Sequence, residues 1–526
     1  MTARPQSCHA CGVKPTADPP LTVAGSPKYS ELISAVSAVT VGMIVLIRNW
    51  GLVGRAIVED GDSAANSLLI DRAKHLTLLT GNYSRVGFHH PGPALLWVQA
   101  AGEVIFRNVL HLVRSPYNGH VLGIVILETC MIWLSARIAS RWFRTSSSTI
   151  AFAMGVFAVV SLQDGVQSST WMPHIYIWPF LLFTVAAVSV MNGQMGSLPE
   201  LTLSSVLLIH GHISFLANIL VVLGAITAVA AWRWRRNRSR LTLPSRAKVW
   251  LTVSIVAVGA APLLINLVVH FPGDWADYWR FAHSGASPNP LKGSVRLLLS
   301  VWNIGPRRGA LAGALTLAGL LRLTRRSTTA SRRLLTSALA TYSIISASVL
   351  FYAVRGVDDL RLTYVVIYFV AVPMSAVGLV LGSAVERIGT LRLPTTGLLV
   401  AGAVIFGSTA RSLNNPYRGS PSLPAALAAA VSFESARNPQ TTGLVLRFET
   451  PGWPAALGLI EQARREGNQV CVENPVWAFL VTSEEICTPL EIRTGLTVQI
   501  SGPEKNRASS ASTIFQTSDV AIDNVP

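Results

Sequence analysis

The side chains best suited to chemistry crowd into one short reach, VEDGDSAANSLLIDRAKHLTLLTGNYSRVGFHHPGP, from Val58 to Pro93. Glu59, Asp60, Asp62 and Asp71 are carboxylates able to take a proton from a hydroxyl. Arg72, Lys74, Arg85, His89 and His90 are suited to hold a phosphate as it leaves, with Tyr83 among them. The bland alternative is a solvated loop whose His-Pro pair merely starts a helix. Near hydrocarbon, however, each ionisable group is costly, and a cluster there points to use.

The elements that must position these groups are apolar. Of 526 residues, 50% are hydrophobic and 13% charged, and the mean hydropathy is +0.45, the range of a multispanning membrane protein. The net charge of +17 does not indicate nucleic acid. The arginines sit between apolar runs, as cytoplasmic loops require. Residues 1-28 are expected to be a disordered cytoplasmic tail. It holds Cys8 and Cys11, which without a second ligand pair read as free thiols more readily than as zinc ligands. No cleavable signal is expected.

About 11 spans are expected within residues 29-408, with the first outer loop at 49-118. Span 1 covers about Glu31 to Ile47. Pro93 to Val113 carries Gln99, Glu103, Arg107 and His111 at every fourth position, so it is expected to lie on the membrane surface and not to cross. With that choice, the clusters at Arg137 to Arg144, at 232 to 240 and at 322 to 333 fall inside, and every histidine except His9 falls outside. Span 11, about Thr395 to Gly407, would deliver the C-terminus outside.

Residues 409-526 change character. LVLRF, PAALGLIEQARREG, NQVCVEN and GLTVQI read as strand, amphipathic helix, strand and strand, a small extracytoplasmic α/β domain. Cys471 and Cys487 could pair there in an oxidising compartment. The tail after Ser501 is expected to be disordered.

A second polar group, His174, His210 and His212, falls near outer span ends. His-x-His does not share a helix face, so no helical metal site is expected; a kinked, unwound span end would present both rings. Interfacial histidines with ordinary partners are one reading, and contact with a donor phosphate or acceptor the other. Asp274, Asp277, Asp358, Asp359 and Arg361 lie on outer loops, either solvated or binding a cation or sugar hydroxyls.

A carboxylate just past the first span, the loop YSRVGFHHPGP, and the entry His90-Pro91-Gly92-Pro93 to an amphipathic helix resemble the C-type (GT-C) glycosyltransferase fold. Protein O-mannosyltransferases and lipid A aminoarabinose transferases carry a His-Pro-Pro-Leu or Lys-Pro-Pro-Leu element there. The string is also similar to that of bacterial multispanning proteins assigned to this superfamily. The resemblance covers residues 31 to 140. It implies a polytopic α-helical enzyme of the bacterial plasma membrane. Such an enzyme takes sugar from a polyprenyl-phosphate donor to a glycan, lipid or protein acceptor outside. Its first-loop carboxylate is the catalytic base, which maps to Asp62 with Asp60 next. The family's adjacent Asp-Glu pair is absent, since this chain has Glu59-Asp60 and then Asp62. Substrate contacts are expected from Tyr83, Arg85, His89, His90, His174, His210 and His212. No cofactor and no metal ligand set is expected, and a divalent cation remains an option. The competing readings are a lipid or polysaccharide transporter and a non-catalytic scaffold. A transporter should show inverted repeats and broken spans at the midplane; here the polar groups gather at the outer ends.

Overall fold

The computed structural model describes residues 27–236, 244–283, 287–388, 413–437, 443–502 and 512–525. Among the described residues, six helices are long and apolar enough to cross a membrane: Pro116–Ala139, Met172–Met191, Ser214–Trp232, Arg246–Val269, Thr329–Arg355 and Thr363–Ile388. Ser34–Arg48 and Ser146–Val160 are shorter apolar helices. The expected number of about 11 spans is therefore not confirmed. The expected span 11, like the Cys8/Cys11 tail, lies outside the described residues.

In chain order, α1 (Pro27–Arg48) and a short α2 (Trp50–Gly54) precede α3 (Gly61–Lys74). A two-residue hairpin follows, β1 (Tyr83–Ser84) on β2 (Phe88–His89), antiparallel. Then come α4 (Ala94–Glu103), α5 (Pro116–Ala139), α6 (Ser146–Val160), a turn of helix α7 (Met172–Ile175), and α8 (Ile177–Met191). Every residue of α8 is buried, which makes it the bundle's axis. Around it run α9 (Leu198–Gly211), α10 (Ser214–Arg236), α11 (Arg246–Val269), α12 (Gly273–Ala282), α13 (Leu291–Ser300), α14 (Pro306–Arg325), α15 (Thr329–Arg355) and α16 (Ala371–Ile388). Outer helices keep apolar side chains exposed, as lipid-facing ones must: Trp250, Val258 and Val268 of α11 are 70%, 68% and 80% accessible.

The polar stripe expected along Pro93 to Val113 turns inward only in its first half, Arg107 being half-buried and His111 exposed. Gln99 and Glu103 are buried while Val104, Ile105, Val109 and Leu110 are exposed. The helix is α only to Glu103 and continues as a π-helix over Val104–Val109. It crosses α5 at glycines: a Cβ on Gly102 would lie 2.9 Å from the Gly123 backbone, so the two backbones touch.

The C-terminal region builds a five-stranded sheet, order β4-β3-β5-β7-β6. β3 (Leu444–Phe448) lies parallel to both β4 (Val470–Val472) and β5 (Leu496–Ser501). The crossover is α18 (Trp453–Glu466), packed with α17 (Leu423–Arg437). Cys471 and Cys487 form a disulfide. The expected disorder after Ser501 is corrected: β6 (Thr513–Gln516) and β7 (Ala521–Asn524) close the sheet antiparallel, with Ile522 fully buried.

α3 is the shared wall. Its Ala64, Ala65 and Leu68 sink into the core of the C-terminal sheet, and its Leu69, Ile70 and Ala73 into the core of the helical bundle. Fully burying each leucine or isoleucine contributes about 1.5–3 kcal/mol, so neither neighbour leaves α3 free to turn.

Candidate functional site

Asp60 caps α3 in an extended conformation, and Gly61 follows at φ +48, a left-handed value that a side chain would strain. This corner turns Asp60 and Asp62 in different directions. Asp60 accepts from the Tyr417 hydroxyl at 3.1 Å, and its backbone N–H donates to the same oxygen at 2.7 Å. Burial pushes its carboxyl up from the usual range, against the Tyr417 hydrogen bond. Asp60 therefore belongs to the joint with the C-terminal region.

Asp62 turns toward the bundle. One of its oxygens accepts from the Tyr83 hydroxyl of β1, the other from the Trp171 indole N–H at 2.7 Å. It sits in the first turn of α3, where the helix dipole favours an anion. Burial, with the Asp62 charge beside it, pushes the Tyr83 hydroxyl well above its ordinary value, so Tyr83 remains a donor. Trp171 stands edge-on to His174 at 4.8 Å and lies 5.1 Å from Tyr364.

The hairpin carries Arg85 outward, where it pairs with Asp358 from the loop after α15; both remain about two-fifths exposed. His90 is buried, and its ring lies 4.1 Å from that of His212. His212, in extended conformation just past the end of α9, accepts from the Ser214 N–H on Nδ1 at 3.2 Å. The break expected at His-x-His is present. Burial holds His212 down to about 4, and burial plus the neighbouring imidazoles holds His90 well below its usual value. Both are neutral at pH 7. His90 Nδ1 and His174 Nδ1 are buried with no described hydrogen-bond partner.

Two of the residues expected to contact substrate also have structural partners. His210 is spent on packing: its Nδ1 accepts the Ala94 N–H at 3.2 Å, and its Nε2 bonds the Gly259 carbonyl at 2.8 Å. It ties α4, α9 and α11 together. His89 is engaged through its backbone, the N–H by Asp274 at 3.4 Å and the carbonyl by the Tyr278 hydroxyl at 2.5 Å. Burial, then Arg72, lowers its ring to about 4. Asp71 pairs with Lys74 at 2.8 Å and Arg464 at 3.1 Å, away from Asp62.

Behind the site runs a buried ionic network that spacing did not suggest. Glu59 accepts from Ser67 at 2.5 Å and pairs with Arg465 of α18. Arg465 also pairs with Glu461 at 2.6 Å, while His120 bridges to Glu103 at 2.9 Å, and Glu103 to Lys74 at 2.9 Å. Burial alone would raise Glu59; Arg465 and the His120 imidazole outweigh it and hold the carboxyl low. Glu461 goes the other way, pushed by burial to about 7. Trp171, Tyr364, Tyr417 and Arg465 were also missed. Only Trp171, within QDGVQSSTWMPH, had a signal in sequence, an indole in a polar outer loop. Among the described residues no group of three or more His, Cys, Asp or Glu is arranged to hold a metal ion.

No family model and no curated protein matches the chain. In structure it is similar to two crystal structures of the oligosaccharyltransferase of Archaeoglobus fulgidus, one in the apo form and one tethered by a disulfide to an acceptor peptide containing the NVT sequon. The TM-score is 0.35 for both, with 14% and 13% identity over 83% and 90% of this chain. The chain spans 63% and 69% of the length of those proteins.

Proposed function

We propose that the chain is a C-type membrane glycosyltransferase that moves a sugar from a polyprenyl-phosphate donor to an extracytoplasmic acceptor of the cell envelope. The observation that carries this reading is Asp62. It is a carboxylate just past the first apolar helix, held by Trp171 and by Tyr83, whose hairpin also carries the cation Arg85. In the reaction, the acceptor oxygen bonds to the anomeric carbon of the donor and passes its proton to Asp62. The carbon–oxygen bond to phosphate breaks, and polyprenyl phosphate leaves with the electron pair. Arg85 meets that charge, exchanging Asp358 for phosphate. His90, His174 and His212, neutral or lacking a partner on one nitrogen, would line the donor side with hydrogen-bonding groups. Residues 29-408 would form the membrane domain and 409-526 an outer domain; the Cys471–Cys487 disulfide suits an oxidising compartment.

Mass spectrometry of lipid copurifying with the protein tests the donor class. A polyprenyl phosphate or its glycosylated form is expected. Bulk phospholipid alone, together with no donor turnover on reconstitution, would count against the reading and favour a scaffold.

A further inference from the structure

The chain leaving the carboxyl ends of the parallel strands β3 and β4 runs against Asp62's corner of the molecule. After β3, Trp453 and Pro454 pack on Gly61, where a Cβ would stand 3.6 and 3.5 Å from them. After β4, a turn of 3-10 helix, Pro475–Phe479, brings Phe479 within 6.3 Å of Tyr83, centroid to centroid. In open α/β sheets, ligands bind outside the carboxyl ends of the strands. Here that edge is docked beside a candidate base.

The same edge carries rings in series. Phe448 lies 5.0 Å from Trp477, and Trp477 stacks on Phe479 at 6.3 Å with an interplanar angle of 29°. Phe479 adjoins Tyr83, whose hydroxyl donates to Asp62. Phe448 is buried in the domain core, but Trp477 and Phe479 are only half-buried and keep surface open. If the series existed for packing alone, its large rings would gain by full burial. An open aromatic face is what the C–H side of a sugar ring packs on, leaving the hydroxyl edge free.

We propose that the acceptor is a glycan whose terminal sugar rests on Trp477 and Phe479, with a hydroxyl directed past Tyr83 to Asp62. This rests on the transferase reading above and narrows its acceptor from glycan, lipid or protein to one class. The sheet domain is then part of the site and not an appendage to it.

The test is binding without donor. Full-length protein in detergent is titrated with short neutral oligosaccharides, one hexose series and one pentose series, followed by saturation-transfer NMR. A Ser/Thr-rich peptide serves as the competing probe. At least one glycan series is expected to bind saturably. Truncating an aromatic anchor should weaken it about tenfold in Trp477→Ala, whereas Trp477→Phe should stay within about threefold. Equal binding by wild type and the Trp477→Ala/Phe479→Ala double variant overturns the proposal. So does binding of the peptide with neither glycan series. The two claims fail separately. Donor turnover lost in Asp62→Asn without any glycan binding removes this proposal alone. Glycan binding with full transfer in Asp62→Asn removes the transferase base and leaves the sugar site.

Discussion

At Asp62 each carboxylate oxygen already accepts one hydrogen bond, from Tyr83 or Trp171, and each retains lone-pair capacity for an acceptor hydroxyl. Asp60, two residues earlier, is tied to Tyr417 in the joint with the C-terminal region. Asp60→Asn should therefore reduce transfer far less than Asp62→Asn, in the same reconstituted assay. The histidines make a separate prediction. His89 and His212 stand near 4 in the fold, against 6.5 for the free side chain, because burial disfavours their charged forms. The unfolded chain thus binds more protons between these values. That contribution is present above pH 6.5 and is lost as pH falls toward 4, by about 2 kcal/mol per histidine at pH 5. The melting midpoint should drop between pH 7 and pH 5, and His212→Phe should flatten that drop; an unchanged slope would show that His212 titrates normally. Asp62, Tyr83, Arg85 and His90 were legible because they share one loop. The pairings of Asp62 with Trp171 and of Arg85 with Asp358 were not, since 109 and 273 residues separate the partners.

α3 is held by contacts from α18 that are as demanding as its apolar ones. Glu59 is 1% accessible and depends on Arg465, 406 residues along the chain. Removing one partner of a buried pair leaves an uncompensated charge, at a cost of about 3–5 kcal/mol. Arg465→Ala should lower the melting midpoint strongly, and Glu59→Gln in the same chain should recover part of it. If the single and double variants melt alike, the pair contributes nothing to docking. That Gln99 and Glu103 share a face of α4 was legible from their spacing, but not that this face is buried against His120 and Lys74, because a periodicity names a face and not its neighbour. β6 and β7 were misread as disordered tail for a related reason. Each is four residues long with polar neighbours, and each gains order by pairing, β7 on β5 and β6 on β7.

Over the whole molecule, apolar helices set a bundle around α8, and Asp62, His90, His174 and His212 come together where the hairpin, α7, the start of α10 and the C-terminal sheet meet. The helix pattern was legible from hydropathy. The number of crossings was not, because α6 and α9 are too short to qualify by length, the 20-residue α14 does not qualify either, and the expected span 11 lies outside the described residues. If the basic ends are cytoplasmic, Ser245→Cys before α11 should resist an impermeant thiol reagent in intact cells, and Ser483→Cys in the sheet domain should react, in a background lacking Cys8, Cys11 and Cys130. Labelling of Ser245→Cys would invert the topology. The central claim is tested most directly by release of polyprenyl phosphate from a polyprenyl-phosphate sugar by the protein in proteoliposomes supplied with the oligosaccharide series as acceptors, wild type against Asp62→Asn. Loss of a general base predicts a rate lower by about 10²–10⁴ with folding intact. Equal rates in the two proteins would contradict the assignment of Asp62 as the base.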